Sequence, residues 1–255
     1  MVEIKSDTQM DAMREAGRVV AQALAAAREA ADIGVSLTEL DAAAREILFK
    51  AGATSPFLDY HPEFAPVPFP ATACVSVNDA IVHGIPDGYR LRDGDLVSVD
   101  FGAVLDGWAG DSAISFIVGR ARPEDVRLVE TAFRALDAGI AAAVVGNRIG
   151  DIAHAIGKVC RGEGYGIPDG FGGHGIGRHM HEDPAVPNEG RAGRGMVLRH
   201  GMVLAIEPML IADGSDAYCP AADGWTLRSL SGARAAHAEH TVAVTDAGPR
   251  ILTLP

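Results

Sequence analysis

Cysteine is scarce in this chain of 255 residues, and the three present, Cys74, Cys160 and Cys219, are far apart and free of Cys-x-x-Cys spacing. An odd, scattered set excludes a disulfide framework and points to a reducing compartment. Long apolar runs are also missing: no stretch reaches the roughly 18 residues that a membrane-spanning helix needs. The N-terminus, MVEIKSDTQMDAMREAG, carries charges where a secretion signal would need an apolar core. A cytoplasmic protein without a membrane partner is therefore expected. Basic excess is absent too. With 22 Lys and Arg against 34 Asp and Glu, the net charge is −12, which argues against nucleic acid or an anionic membrane as the main partner. No linker-like segment divides the chain, so a single domain over residues 1–255 is expected.

What is present describes an ordinary globular protein with a large core: 48% hydrophobic and 22% charged residues. Met10, Met13, Gly17, Val20, Leu24 and Ala27 recur at alternating steps of three and four, which predicts one apolar helix stripe. Ser36-Leu37-Thr38-Glu39 reads as a capping box for a second helix that continues through Leu40, Ala44, Ile47 and Leu48 and stops near Gly52. The prolines of the segment from His61 to Pro70 exclude helix and central strand there. Cys74 to Val77 is a predicted short strand. Two further helices are predicted, from Arg127 to Val145 and from about Gly150 to Cys160.

The stretch Gly94 to Asp111 reads as a hairpin. Leu96 to Phe101 is a β-type run, and Asp106-Gly107 is a pair suited to a two-residue turn. With those two as the loop, Leu105 faces Trp108 and Asp100 faces Ala113, so Asp111 lies on the face of Asp100 as its diagonal neighbour. Diagonal neighbours have Cα atoms about 7–8 Å apart, near enough for two carboxylates to meet over one ion. A single strand Asp is ordinarily structural, and the remainder of the chain has to decide.

The second half repeats the order of the first. Gly94 precedes Asp100 across an apolar strand as Gly201 precedes Glu207. His83-Gly84-Ile85 lies upstream of the first strand, and His174-Gly175-Ile176 upstream of the second. A later strand begins at Asp111 in one half and at Glu239 in the other. The pattern predicts a diverged internal duplication, roughly residues 1–119 and 120–255. It also predicts an α+β fold: two halves about a pseudo-twofold axis, with curved antiparallel sheet backed by two helix pairs.

Collected, Asp100, Asp111, His174, Glu207 and Glu239 offer four carboxylates and one imidazole, a charge that balances two divalent cations. Burying them without metal would be costly. Oxygen-rich ligation with a single His suits Mn, Fe or Co better than Zn. Two such ions form the centre of a two-metal hydrolase. His83 and His181 flank the proposed site and could move protons near neutral pH. Phe69, Cys74 and Trp225 could wall a small pocket, although core packing is the commoner role for such residues.

The motifs as a set, Cys74-Val-Ser-Val-Asn-Asp, His83-Gly-Ile-Pro, Val-Asp100-Phe-Gly, Trp-Ala-Gly-Asp111, Gly-His174-Gly-Ile-Gly, His181-Glu-Asp-Pro, Ile-Glu207-Pro-Met and Ala-Glu239-His-Thr, resemble the type I methionine aminopeptidases. The resemblance runs over nearly the whole chain. It implies the pita-bread fold shared with creatinase and the proline peptidases. It also implies hydrolysis of the first peptide bond of nascent chains that begin with Met and continue with a small residue, by a metal-activated hydroxide. By position, Asp111 and Glu239 would bridge two divalent metal ions, Asp100 would complete one site, and His174 and Glu207 the other. His83 would contact the scissile amide, His181 would polarise the substrate carbonyl, and Glu207 would also shuttle the proton. Phe69, Cys74 and Trp225 match positions that line the methionine pocket. The implied partners are nascent polypeptide N-termini near the ribosome exit, met by a monomer. An Xaa-Pro peptidase or creatinase-like hydrolase of the same fold is the competing expectation; those enzymes usually carry an extra N-terminal domain. Met180 stands where some relatives have Phe, and the segment from His61 to Pro70 departs from the Tyr-x-Gly-Tyr/Phe-Pro pattern.

Overall fold

Two serines start the first helix pair. In a computed structural model that describes residues 2–63 and 65–255, helix α1 spans Asp7–Ala30 and α2 spans Leu37–Ala51. Ser6 and Ser36 accept from the backbone N–H of Gln9 and Glu39, and those side chains reach back to the serine N–H, closing a capping box at each helix. Gly52 ends α2 in the left-handed conformation. The predicted stripe of α1, from Met10 to Ala27, is the face it buries. The second pair is α3, Pro123–Ala142, and α4, Ile149–Gly162. Helix α3 starts earlier than Arg127 because Pro123, at its first position, has no N–H to leave unpaired.

The strands are short apart from one hairpin. They are β1 (Ala73–Val77), β2 (Ala80–Val82), β3 (Leu96–Leu105), β4 (Trp108–Ile117), β5 (Gly172–Gly175), β6 (Glu182–Pro187), β7 (Val203–Ile206), β8 (Met209–Ile211), β9 (Tyr218–Pro220), β10 (Leu227–Ser229), β11 (Ala235–His237), β12 (Glu239–Thr245) and β13 (Gly248–Ile251). The main sheet runs β1-β3-β4-β12-β7-β5-β6, with β13 on β12. Its paired strands are antiparallel. The predicted hairpin register holds: Leu105 pairs with Trp108, Asp100 with Ala113 and Gly102 with Asp111. Asp106 and Gly107 take the positive φ angles of 50° and 75° that the turn needs.

Alternation assigns the two faces of the sheet. Val97, Val99, Phe101 and Ala103 of β3 point into a core shared with α1 and α2. Leu204 and Ile206 of β7, with Val242 and Val244 of β12, point into a second core against α3 and α4. Asp100 and Asp111 therefore emerge on the face away from the helices. One detail departs from expectation: Asp100 and Asp111 sit inside long strands, whereas Glu207 follows the end of β7 and Glu239 starts β12. The tight turn at Asp106-Gly107 lets β3 and β4 continue past their aspartates.

The junction of β4 with β12 brings the two halves of the chain together. It has a short ladder, Glu239 with Ala113 and His240 with Ser112. Hydroxyls extend it. Ser112 Oγ donates to the Glu239 carbonyl at 2.6 Å, and Thr241 Oγ1 accepts from the Asp111 N–H at 3.0 Å while donating to the Asp111 carbonyl at 2.8 Å. Side-chain hydroxyls thus fix the spacing of two acidic residues from opposite halves.

Candidate metal centre

Strand register converges the acidic residues. Asp100, Ala113 and Glu239 are cross-strand neighbours over β3, β4 and β12, and Asp111 is two residues from Ala113, so the three carboxylates share one face. His240 pairs with Ile206, which places Glu207 one step further along beside Glu239. His174 pairs with Ala205, two residues before Glu207, and joins the same face. Its Nε2 lies 3.6 Å from Glu207 Oε1 and 3.9 Å from Asp111 Oδ2. All five residues named as ligands from the sequence thus meet at one place. Donor atoms of Asp111, His174 and Glu239 lie within 4.8 Å of one another, as do those of Glu207, His237 and Glu239.

The imidazole of His174 has its tautomer set. Nδ1 is 2.9 Å from the Gly175 carbonyl, which can only accept, so Nδ1 carries the hydrogen and Nε2 turns a bare lone pair toward the carboxylates. Burial lowers the pKa of this ring to about 4, with the nearby His181 adding to the effect. The carboxyls move the other way. Burial pushes Asp100 up to about 7 and Glu207 up to about 8, and it raises Asp111 and Glu239 well above the ordinary range, where mutual repulsion adds to it.

Asp100 Oδ1, Asp111 Oδ1, Glu239 Oε1 and His237 Nε2 are buried without a hydrogen-bond partner among the described residues. Native proteins rarely leave such groups unsatisfied. A set of oxygen and nitrogen donors, converged and otherwise unpaired, fits divalent cations of the Mn, Fe and Co kind.

A cavity of about 290 Å³ opens onto these donors, with Phe57, Tyr60, Phe69, Cys74, His83, His181 and Trp225 along its walls. The apolar end is a ring cluster: Phe69 meets Trp225 edge-on at 5.2 Å, and Phe57 meets Phe69 edge-on at 6.5 Å. Trp225 Nε1 donates to the Val67 carbonyl at 2.8 Å, which ties the Pro-rich segment over the cavity. At the mouth His181 lies 4.5 Å from the His174 ring and 5.6 Å from Tyr60. His83 reaches Trp225 at 6.3 Å from a backbone with φ of 60°, and burial lowers its pKa to about 4. The following Gly84 is pressed against β1: its N–H donates to Ser76 Oγ, and a Cβ there would sit 2.2 Å from the Val75 carbonyl oxygen.

Three residues of this site escaped the sequence reading. Phe57 and Tyr60 precede the Pro-rich segment and carry no motif. His237 is different, because it stands two residues before Glu239, the spacing that puts strand residues on one face. That signal was available.

The description of metallopeptidase family M24 matches residues 11–246. The chain belongs to that family. It is 52% identical to methionine aminopeptidase 1 of Mycobacterium tuberculosis over 261 aligned positions, covering all of this chain and 96% of that protein. It is 43% identical to a methionine aminopeptidase of Clostridium acetobutylicum, covering 99% of it. Among solved structures, a methionine aminopeptidase of Thermotoga maritima superposes with a TM-score of 0.95 at 37% identity, each chain covered completely. A prolidase of Pyrococcus horikoshii has the same fold, with a TM-score of 0.79 at 23% identity, but this chain spans only 63% of it. The expected pita-bread arrangement is therefore present. No helix among the described residues is long and apolar enough to cross a membrane.

Proposed function

We propose that this M24 metallopeptidase is an aminopeptidase that removes an N-terminal methionine from peptides and nascent chains whose second residue is small. The observation that carries the reading is the placement of an aromatic pocket directly beside the converged, unpartnered donors. In this reading the whole chain is one catalytic domain built by internal duplication, working as a cytoplasmic monomer near the ribosome exit.

Asp100, Asp111, His174, Glu207 and Glu239 would hold two divalent ions. When bound, such ions supply Lewis-acid polarisation of a carbonyl and allow water to ionise near neutral pH. The surrounding residues do the rest. Phe69, Trp225 and Cys74 enclose an unbranched thioether side chain, since sulfur packs favourably against ring edges. His83, neutral because it is buried, contacts the scissile amide and handles the proton that its nitrogen gains. His181, at the cavity mouth, hydrogen-bonds the substrate carbonyl. Glu207, which lines the cavity, takes the proton that the attacking water gives up.

The test is kcat/KM for a panel of Met-X peptides, on protein first stripped with chelator and then titrated with Mn, Fe or Co. The expected result is no turnover when stripped, recovery with metal, and a preference for Met-Ala and Met-Gly over Met-Leu. Full activity after verified metal removal, or faster turnover of an Xaa-Pro substrate, would overturn the reading.

A further inference from the structure

Beyond the five donors discussed so far, one buried group at the centre has no role. His237 ends β11, is 1% exposed, and its Nε2 has no hydrogen-bond partner among the described residues. That nitrogen lies 3.5 Å from Glu207 Oε2 and 4.0 Å from Glu239 Oε2. We infer that His237 is a further nitrogen ligand of the metal centre, placed on the opposite side of Glu207 from His174. The inference rests on the metal-centre reading above and refines it.

The geometry around Glu207 is two-sided. His174 Nε2 stands 3.6 Å from Oε1, and His237 Nε2 stands 3.5 Å from Oε2. Two ligands each about 2.1 Å from one ion are separated by roughly 3–3.5 Å, so both imidazoles hold the spacing of co-ligands. For a hydrogen bond the same separation is too long. A buried imidazole with an orphaned nitrogen is costly unless something takes the lone pair. His237 is also held firmly, as a ligand has to be. Its N–H donates to Ser115 Oγ at 3.0 Å, Ser115 Oγ donates back to its carbonyl at 2.7 Å, and the residue pairs with Met209 of β8. A ligand on a fixed strand does not reorganise to bind.

The chemical consequence is a nitrogen-richer centre than the sequence motifs imply. One imidazole among carboxylates suits Mn; a second moves the preference toward Fe, Co and the later first-row ions.

The deciding experiment uses the intact protein, labelled with ¹⁵N-histidine, stripped with chelator and loaded with two equivalents of Co(II). Coordinated imidazoles then give strongly shifted ring N–H resonances that can be counted. Two coordinated rings are expected in the wild type. One of them should vanish in His237→Gln, with at least about a tenfold loss in affinity for one Co(II) equivalent. A single coordinated ring in the wild type overturns the proposal whatever the variant's affinity, because a residue that only supported Glu207 would also weaken binding. The wild-type count decides alone if the variant does not fold. Failure of the metal-centre reading looks different: no Co(II) is retained and no ring is shifted.

Discussion

Two groups of buried acidic residues in this molecule are alike in burial and opposite in their surroundings. Asp41 on α2 is 6% exposed, and its Oδ1 accepts from the Thr72 N–H, the Thr72 hydroxyl and the Ala73 N–H at 2.6–2.9 Å, while Arg45 covers Oδ2. Asp125, 2% exposed, is clasped by Arg122 and Arg234. Asp111 and Glu239, 4% and 1% exposed, each keep an oxygen with no hydrogen-bond partner among the described residues. Burial alone therefore says little about role. A carboxylate whose bonds are closed by the protein braces the fold, and one left open beside others like it marks where a cation belongs.

The largest effect that would break this contrast is on activity. Asp111→Ala should lower kcat/KM for Met-Ala by on the order of a hundredfold to a thousandfold, the loss seen when one preorganised electrostatic partner is removed. Asp100→Ala should cost less and weaken one metal equivalent more than the other, as calorimetric titration would reveal. A larger loss for Asp100→Ala would contradict the bridging place that the family resemblance implies for Asp111.

On stability the two groups should respond with opposite sign. Asp41→Ala strands two N–H groups and the Thr72 hydroxyl, and should cost about 3 kcal/mol whether or not metal is present. For a domain of this size that is a fall in Tm of roughly 6–12 °C. In metal-stripped protein near neutral pH, Asp111→Asn replaces a carboxyl that burial and repulsion force to take up a proton with a group that is neutral at every pH, and should raise Tm by a few degrees. Equal falls for both variants would erase the distinction.

The same repulsion predicts a pH dependence. With no cation to oppose their charge, Asp100 and Glu207 titrate near 7 and 8, above the ordinary 3.8 and 4.5 of the unfolded chain. The folded form therefore holds protons that the unfolded form has released, and stability falls as pH rises from about 4 to 8. Thermal melts of stripped protein should show a decline of several kcal/mol across that window, since raising a pKa by one is worth about 1.4 kcal/mol. Metal, which favours the ionised carboxylates, should flatten it; a slope unchanged by metal would mean that the cation binds elsewhere.

The smallest expected effect lies in the pocket. Trp225→Phe keeps a ring against Phe69 but loses the Nε1 bond to the Val67 carbonyl, worth about 1 kcal/mol. KM for Met-Ala should rise a few-fold with kcat nearly unchanged. A fall in kcat alone would place Trp225 in the chemistry instead of the pocket wall.

Much of the fold was legible because its signals are local. The capping boxes at Ser6 and Ser36, the stripe of α1 and the Asp106-Gly107 turn each depend on residues a few positions apart. The register that places Asp100 opposite Ala113 follows from the turn by counting. Less legible were Phe57 and Tyr60, whose place in the cavity depends on how the Pro-rich segment folds back and is pinned by Trp225, far away in the chain. His237 was less legible for another reason: it belongs to no motif, and only its spacing of two from Glu239 puts it on the same face.

The sequence by itself determined the faces. Period and turn chemistry decide which side chains point to helices and which point away, and they supplied the inventory of carboxylates and imidazoles. Only the tertiary structure decided which of those groups meet. The β4–β12 junction joins Ser112 to Glu239 and Asp111 to Thr241 across more than a hundred residues, and no local pattern encodes a contact of that range. It arises because both helix pairs cover the same face of one continuous sheet, each over its own half, so the acidic residues of both halves share the other face.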